Sequence, residues 1–319
     1  MNLNDLRWAF LLFALPLLMS SCGGGKDDPT PPGPEPPGPV VTEGSVSLTL
    51  DVSTHQPGAL KYHFYNTDGV TACMVVACDG QGNYANDKFA VGTYRVLAVN
   101  TSASGVDFLG MDSHTTASAH LSASAVNRSG GLTLVSQPGA VYSAVVNELT
   151  VAADGTASYS PVPTLLTKSM NFSVTLKDGL GADVVSIEGT LQGVYPSVSL
   201  FTGTPVSSVS DCENTTVAFV ATGTGDQRSA AISLFGICDP QGGEAYINTL
   251  KLTLIFTNGD TKELSVDLTD ALTDAINDNE GVLPIGFELP VQIERTAIGL
   301  TVSVGDWSVG GESGKELGH

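Results

Sequence analysis

Ile247-Asn248-Thr249-Leu250-Lys251-Leu252-Thr253-Leu254-Ile255-Phe256 runs into Thr257-Asn258-Gly259-Asp260 and on through Thr261-Lys262-Glu263-Leu264-Ser265-Val266-Asp267-Leu268. Leu250, Leu252 and Leu254 alternate with Lys251 and Thr253. That period of two belongs to a strand with one face in a core. Asn258-Gly259 is a strong hairpin signal, because the tight turn needs residues that tolerate positive φ. The stretch therefore predicts two antiparallel strands, over 247–256 and 261–268.

The same signature recurs in both directions. Towards the N-terminus, Ala231–Ile237, Val217–Ala221, Val198–Phe201 and Val184–Leu191 read as short strands. Met170, Phe172, Val174 and Leu176 alternate ahead of the turn Lys177-Asp178-Gly179. Earlier still, Val141–Val151, Gly92–Asn100 and Met74–Ala77 read as strands, as does the region of Tyr62 and Phe64. Val46, Leu48, Leu50 and Val52 alternate with Ser47, Thr49 and Asp51 at the start of the series. Downstream, Asp270–Asp278 is the one helix expected, capped by its Asp and Thr start. Ile293–Val304 is expected to close the chain as one long strand. Turns spaced about 8–12 residues apart mark β-sandwiches rather than α/β folds, and no fixed repeat signals a solenoid or propeller. Pro161 and Pro163 punctuate the chain between the two series. The expectation is an all-β protein with two β-sandwich domains in series, 43–163 and 164–319.

Composition narrows the function. The 319 residues are 42% hydrophobic and 14% charged, with 13 Lys plus Arg against 33 Asp plus Glu, a net charge of −20. Binding to nucleic-acid phosphates needs clustered basic residues and is not expected. A polybasic membrane contact is disfavoured on the same ground. The apolar content is enough for sizeable cores, so the chain is not expected to be disordered throughout.

The first forty residues read as a leader and a spacer. Trp8–Met19 is an apolar run too short to span a bilayer and suited to a signal-peptide core over 1–21. Leu18-Met19-Ser20-Ser21-Cys22 resembles the lipobox of bacterial lipoproteins, with Met19 where Leu is commoner. The resemblance implies cleavage before Cys22 and lipidation of that residue. Several acyl chains together hold a protein firmly at a membrane. Gly23-Gly24-Gly25-Lys26-Asp27-Asp28 is similar to the surface-export signal of lipoproteins in Bacteroidetes, and reads equally as a solvated spacer. Residues 29–39 then hold seven of the 17 prolines. Such a run favours extended polyproline II, so a linker over 22–42 would lift the folded part roughly 60 Å off a membrane. No later stretch is long and apolar enough to suggest a second membrane segment.

The inventory of reactive side chains is thin. The histidines are His55, His63, His114, His120 and His319, and none lies in a His-Glu-x-x-His motif. Asp112, His114 and His120 come near one another in a loop rich in Ser, Thr and Ala, a weak hint of a metal site. Gly310–Lys315 lacks the glycine spacing of a phosphate loop. Asp274–Glu280 fails the calcium-loop pattern, with Ile276 at a ligand position. No Gly-x-Ser-x-Gly elbow occurs. No catalytic, cofactor or metal residue is expected. Beyond Cys22, the cysteines Cys73, Cys78, Cys212 and Cys238 allow three pairings, and an exported protein sits where disulfides persist. Cys212 with Cys238 is the favoured pair, closing a loop between neighbouring strands. Cys73 and Cys78 would face opposite sides of one continuous strand and could not join.

Phe89-Ala90-Val91-Gly92-Thr93-Tyr94-Arg95-Val96-Leu97-Ala98-Val99-Asn100 resembles a first-domain strand of the fimbrillin-related lipoproteins of Bacteroidetes. Leu252–Phe256, Asn258-Gly259-Asp260 and Val266–Leu272 resemble the second domain of their fimbrial anchor and accessory subfamily, and Ile298–Trp307 resembles the final strand. The resemblance implies two tandem transthyretin-like sandwiches, placed after the lipoprotein signal and Pro-rich linker, that assemble by strand addition. It implies a protein held to the outer membrane by its lipid and exposed at the surface, with fimbrial subunits or other surface proteins as partners. In polymerising fimbrillins an Arg-directed protease removes the first strand. Here Val46–Tyr65 contains Lys61 but no Arg, and the next Arg is Arg95. That departure favours an unprocessed anchor or a non-polymerising relative. The alternative is an outer-membrane glycan-binding lipoprotein. Sugar sites favour aromatic platforms, and once the leader and Trp8 are removed only Trp307 remains, a residue expected to close the second core. A hydrolase has nothing in its favour.

Overall fold

The computed structural model describes residues 42–67, 73–124, 131–238, 248–279, 283–284 and 286–309. The first half contributes β1 (Glu43–Leu48), β2 (Lys61–Asn66), β3 (Met74–Ala77), β4 (Tyr84–Ala90), β5 (Gly92–Val99), β6 (Val106–Leu109), β7 (Ser118–Leu121), β8 (Thr133–Val135), β9 (Tyr142–Val151), β10 (Thr156–Tyr159) and β11 (Thr164–Leu165). β1 forms the centre of a small sheet in the order β10-β1-β4, and β2 lies in a second sheet ordered β11-β9-β5-β2-β3.

That second sheet is a middle layer. Val96, Leu97, Ala98 and Val99 are buried one after another, as are Tyr62, His63, Phe64 and Tyr65. Strands covered on both faces read as unbroken apolar runs for this reason. Val96, Ala98, Tyr62 and Phe64 join the core under β1, whereas Leu97, Val99 and Tyr65 join a larger core shared with the second half of the chain.

The second half adds β12 (Lys168–Leu176), α1 (Leu180–Asp183), β13 (Val184–Gln192), β14 (Ser197–Ser199), α2 (Val209–Glu213), β15 (Thr215–Ala221), β16 (Gln227–Leu234), β17 (Thr249–Phe256), β18 (Thr261–Asp267), α3 (Thr269–Asp278), β19 (Phe287–Thr296), β20 (Gly299–Val304) and β21 (Ser308–Val309). One sheet runs β18-β17-β13-β15-β8 and its companion runs β16-β12-β19-β20, with β21 also pairing β19. The expected hairpin is present as β17 and β18, with Thr249 opposite Asp267 and Ile255 opposite Thr261. The two sheets pack through Phe172, Phe219, Leu252, Leu254 and their neighbours. Phe219 stacks on Phe172 at 4.9 Å between ring centroids. Gly189 makes room for it: a Cβ there would lie 2.1 Å from the Phe219 ring.

Strands from either side of Pro163 share sheets. β7 pairs with β14, and β8 pairs in parallel with β15. From Val41 onward the chain is one compact unit.

Several elements depart from the sequence reading. Ile293–Val304 is not one strand but parts of β19 and β20, joined by a tight turn in which Thr296 faces Gly299. The parity of the pattern carries the reason: Val291 and Ile293 are odd, whereas Leu300, Val302 and Val304 are even. β16 begins at Gln227, four residues ahead of the expected start. His120 lies in β7 rather than in a loop, because Ser118, Ala119 and Leu121 are buried there. α1 and α2 are two further short helices. At α3 the N-cap is Leu268, and Asp267 Oδ1 accepts from the Thr269 N–H.

Candidate assembly interface

β1 fills a two-sided slot between β10 and β4. β1 pairs in parallel with β10, from Ser45 opposite Thr156 to Leu48 opposite Tyr159, and antiparallel with β4. The ladder continues past the strand, since Thr49 N–H donates to Tyr159 O and Asp51 N–H donates to Pro161 O. At the other end Val91 N–H donates to Thr42 O and Asp154 N–H donates to Glu43 O.

Alternation aims Val46, Leu48 and Leu50 inward, at 1%, 1% and 5% exposure. They meet Tyr62, Phe64, Phe89, Tyr94, Leu149 and Val151. Burial of each such aliphatic side chain contributes about 1.5–3 kcal/mol. Ser45 Oγ lies 2.7 Å from Thr156 Oγ1 and 3.3 Å from Gly155 O, to which it donates. Gly44 approaches the neighbouring chain closely: a Cβ there would sit 2.3 Å from Ala152 O. Without β1, the facing edges of β10 and β4 would be unpaired and the aromatic core uncovered. Such a slot accepts an extended segment through main-chain hydrogen bonds, with alternate side-chain pockets setting register.

β3 is a second exposed edge. Met74 and Val75 are exposed, and β3 pairs only with β2 among the described residues. Cys73 and Cys78 flank it as free thiols. They do face opposite sides of the sheet: Cys73 packs against the larger core and Cys78 against the core under β1. Cys73 Sγ lies 4.0 Å from His63 Nδ1. Burial holds the Cys73 thiol above its ordinary pKa and His63 below its own, the latter aided by Lys61. Burial likewise raises the Tyr62 and Tyr65 hydroxyls, which donate to Gly82 O and Met111 O.

Cys22, the leader over 1–21 and the linker as far as residue 41 lie outside the described residues, as does Gly310–Lys315. Cys212 and Cys238 are joined, with Cα atoms 6.0 Å apart. Cys212 sits on α2, whose start is fixed by a capping box between Ser208 and Asp211, so the bond ties a helix to the end of the β16 segment. His114 packs edge-on against Tyr65 and Phe201, while His120 Nε2 lies 3.0 Å from Ser118 Oγ. These histidines and Asp112 are not gathered into a metal site, and no cluster of three potential ligands occurs among the described residues. Trp307 is half-buried and stacks on Phe287 at 5.8 Å. β10, the parallel partner of β1, escaped the sequence reading, although Asp154-Gly155 marks the turn before it.

Five β-sheets among the described residues define a β-rich class of fold, and solved structures share it. A candidate adhesin from Bacteroides ovatus matches with a TM-score of 0.58 at 16% identity, covering 81% of this chain and 91% of its own. A candidate polysaccharide-binding protein from Bacteroides thetaiotaomicron matches with a TM-score of 0.50 at 12% identity, covering 83% and 97%. The fimbrial anchor protein Mfa2 of Porphyromonas gingivalis gives 0.49 at 11% identity, covering 83% and 98%. The fold likeness is carried by the first two. No family model matches the sequence, and no curated protein matches it.

Proposed function

We propose that this chain is a lipid-anchored cell-surface protein of structural and adhesive role, a fimbrial anchor, accessory or fimbrillin-like subunit that works through strand-mediated contacts. The carrying observation is β1: the central strand of its small sheet, whose Val46 and Leu48 cover an aromatic core and which directly follows the N-terminal segment. The fold likeness to a candidate adhesin supports the same reading. The lipobox-like Cys22 and the Pro-rich linker supply the anchor and the stalk, and place the protein at the outer membrane. The segment from Val46 to Tyr65 lacks Arg, so β1 is retained and the chain serves as an anchor or a non-polymerising relative. We keep 43–163 and 164–319 as its two sandwich domains, with β7 and β8 lent across to the second.

Deletion of the gene in its host tests this. The expected result is loss or detachment of fimbriae and weaker adhesion, and unchanged fimbriae with unchanged adhesion would overturn it. Mass analysis of the mature N-terminal peptide should show Cys22 carrying acyl chains and β1 intact.

A second reading, a surface glycan-binding lipoprotein, is favoured by the fold likeness to the candidate polysaccharide-binding protein.

A further inference from the structure

We propose that the outer face of the β18-β17-β13-β15-β8 sheet is a binding site for an oligosaccharide. The proposal rests on the second reading for its ligand class and adds the place where the ligand sits.

Strand register sets the face. Ala218, Thr190, Lys251 and Ser265 lie in one cross-strand row, and Val220, Glu188, Thr253 and Glu263 lie in the next. Over these rows runs a groove of about 970 Å³, at the upper end of the roughly 300–1,000 Å³ typical of ligand sites. Towards β8 it meets a smaller cavity of about 160 Å³ walled by Leu132 and Leu134. Thr190 and Lys251 line both.

Thr216 lines the smaller cavity, is 6% exposed, and its Oγ1 has no hydrogen-bond partner. A buried hydroxyl left unpaired costs stability. One that faces a cavity marks where a ligand's polar group would complete it. Lys251 makes no ion pair among the described residues.

The chemistry selects the ligand. Strand addition needs a free edge, and this face offers only side chains. A protein partner would be met by large Trp, Tyr or Arg anchors, which the lining lacks. Its one aromatic residue, Phe219, is stacked on Phe172 in the core. The same lack leaves a sugar no aromatic platform, so an apolar aliphatic wall has to take that place. Short hydroxyls, the two carboxylates of Glu188 and Glu263 and the Lys251 ammonium suit a polyhydroxylated molecule. Leu132 and Leu134 supply an apolar wall for the C–H face of a sugar ring or for an acetamido methyl. The net charge of −20 disfavours a polyanionic chain, while Lys251 admits a single carboxylate.

The test is calorimetric titration of the full-length chain with three probes: an N-acetylglucosamine trisaccharide, a neutral glucan hexasaccharide and a trisaccharide carrying one terminal glucuronate. At least one should bind. Thr190→Trp, which fills the junction of the two cavities, should weaken that binding roughly tenfold or more, and Thr216→Val by about fivefold, with melting temperatures at or above the parent. If a probe binds and neither substitution changes its affinity, the glycan reading stands and this site is wrong. If no probe binds at millimolar concentration, and Thr216→Val merely raises the melting temperature, the site is wrong, the hydroxyl is an ordinary buried defect and the glycan reading loses its support.

Discussion

β1 and the β17–β18 hairpin have the same apolar alternation, and they are held in opposite ways. β17 lies between β13 and β18, and its partner β18 follows after the short turn Thr257–Asp260. β1 finds β10 more than a hundred residues away, as the Ser45–Thr156 contact shows, and nothing in its own sheet is adjacent to it in sequence. A hairpin closes at little entropic cost, whereas a distant pairing must close a long loop first. β17 is tied to β18 by a short turn and paired with β13 on its other side. β1 has a slot made entirely by others, and its chemical content is two rows of backbone groups and three inward side chains. On the proposed function, the difference separates a strand that defines the fold from one that another segment of like pattern would replace.

The largest effect should come from the core on which the hairpin packs. Phe172→Ala removes the ring that stacks on Phe219 and should cost about 3–5 kcal/mol, seen in urea unfolding as a loss across the whole second half. Leu48→Ala should cost about 2–5 kcal/mol. Hydrogen exchange should speed up first in β1, β4 and β10 while β13 and β17 stay protected. Uniform acceleration would erase the proposed contrast. Replacing Cys212 and Cys238 together by Ser opens a link between positions 26 residues apart and should cost about 3 kcal/mol by chain entropy, with β1 exchange unchanged.

The smallest effect is on acid stability. His63 is buried in the middle sheet, on β2, with its folded pKa depressed by burial. Below the unfolded value of about 6.5, the unfolded chain binds the proton first, so stability falls as pH drops through that value and levels only below the folded pKa. His120 and His114 shift the same way, each chiefly through burial. His63→Gln should therefore lose less melting temperature than the parent between pH 7 and 5, and an identical slope would remove His63 from the account.

Alternation made the hairpin and most long strands legible, because one buried face per strand writes itself into the sequence every second residue. The short strands β6, β7 and β8 carry too few positions for a period to show. β19 and β20 looked continuous because the turn between them keeps an apolar Ile298, fully exposed at 99%. β2 and β5 were found as strands, but their burial on both faces, which makes the middle layer, is a property of what packs on them. The slot was half legible: Val46, Leu48 and Leu50 marked an inward face. That β1 is central, with β10 parallel beside it, depends on a pairing between residues far apart in the chain.

Strand exchange tests the central claim most directly. A protease site is placed at the exposed pair Ser53-Thr54, the chain is cut there, and a fluorescent peptide of residues 42–52 is added in excess. The labelled peptide should enter the cut chain and displace β1, and a peptide with Leu48→Asp should not. Failure of the labelled peptide to enter, while the cut chain remains folded, would show that β1 is an ordinary core strand and would contradict assembly through this slot.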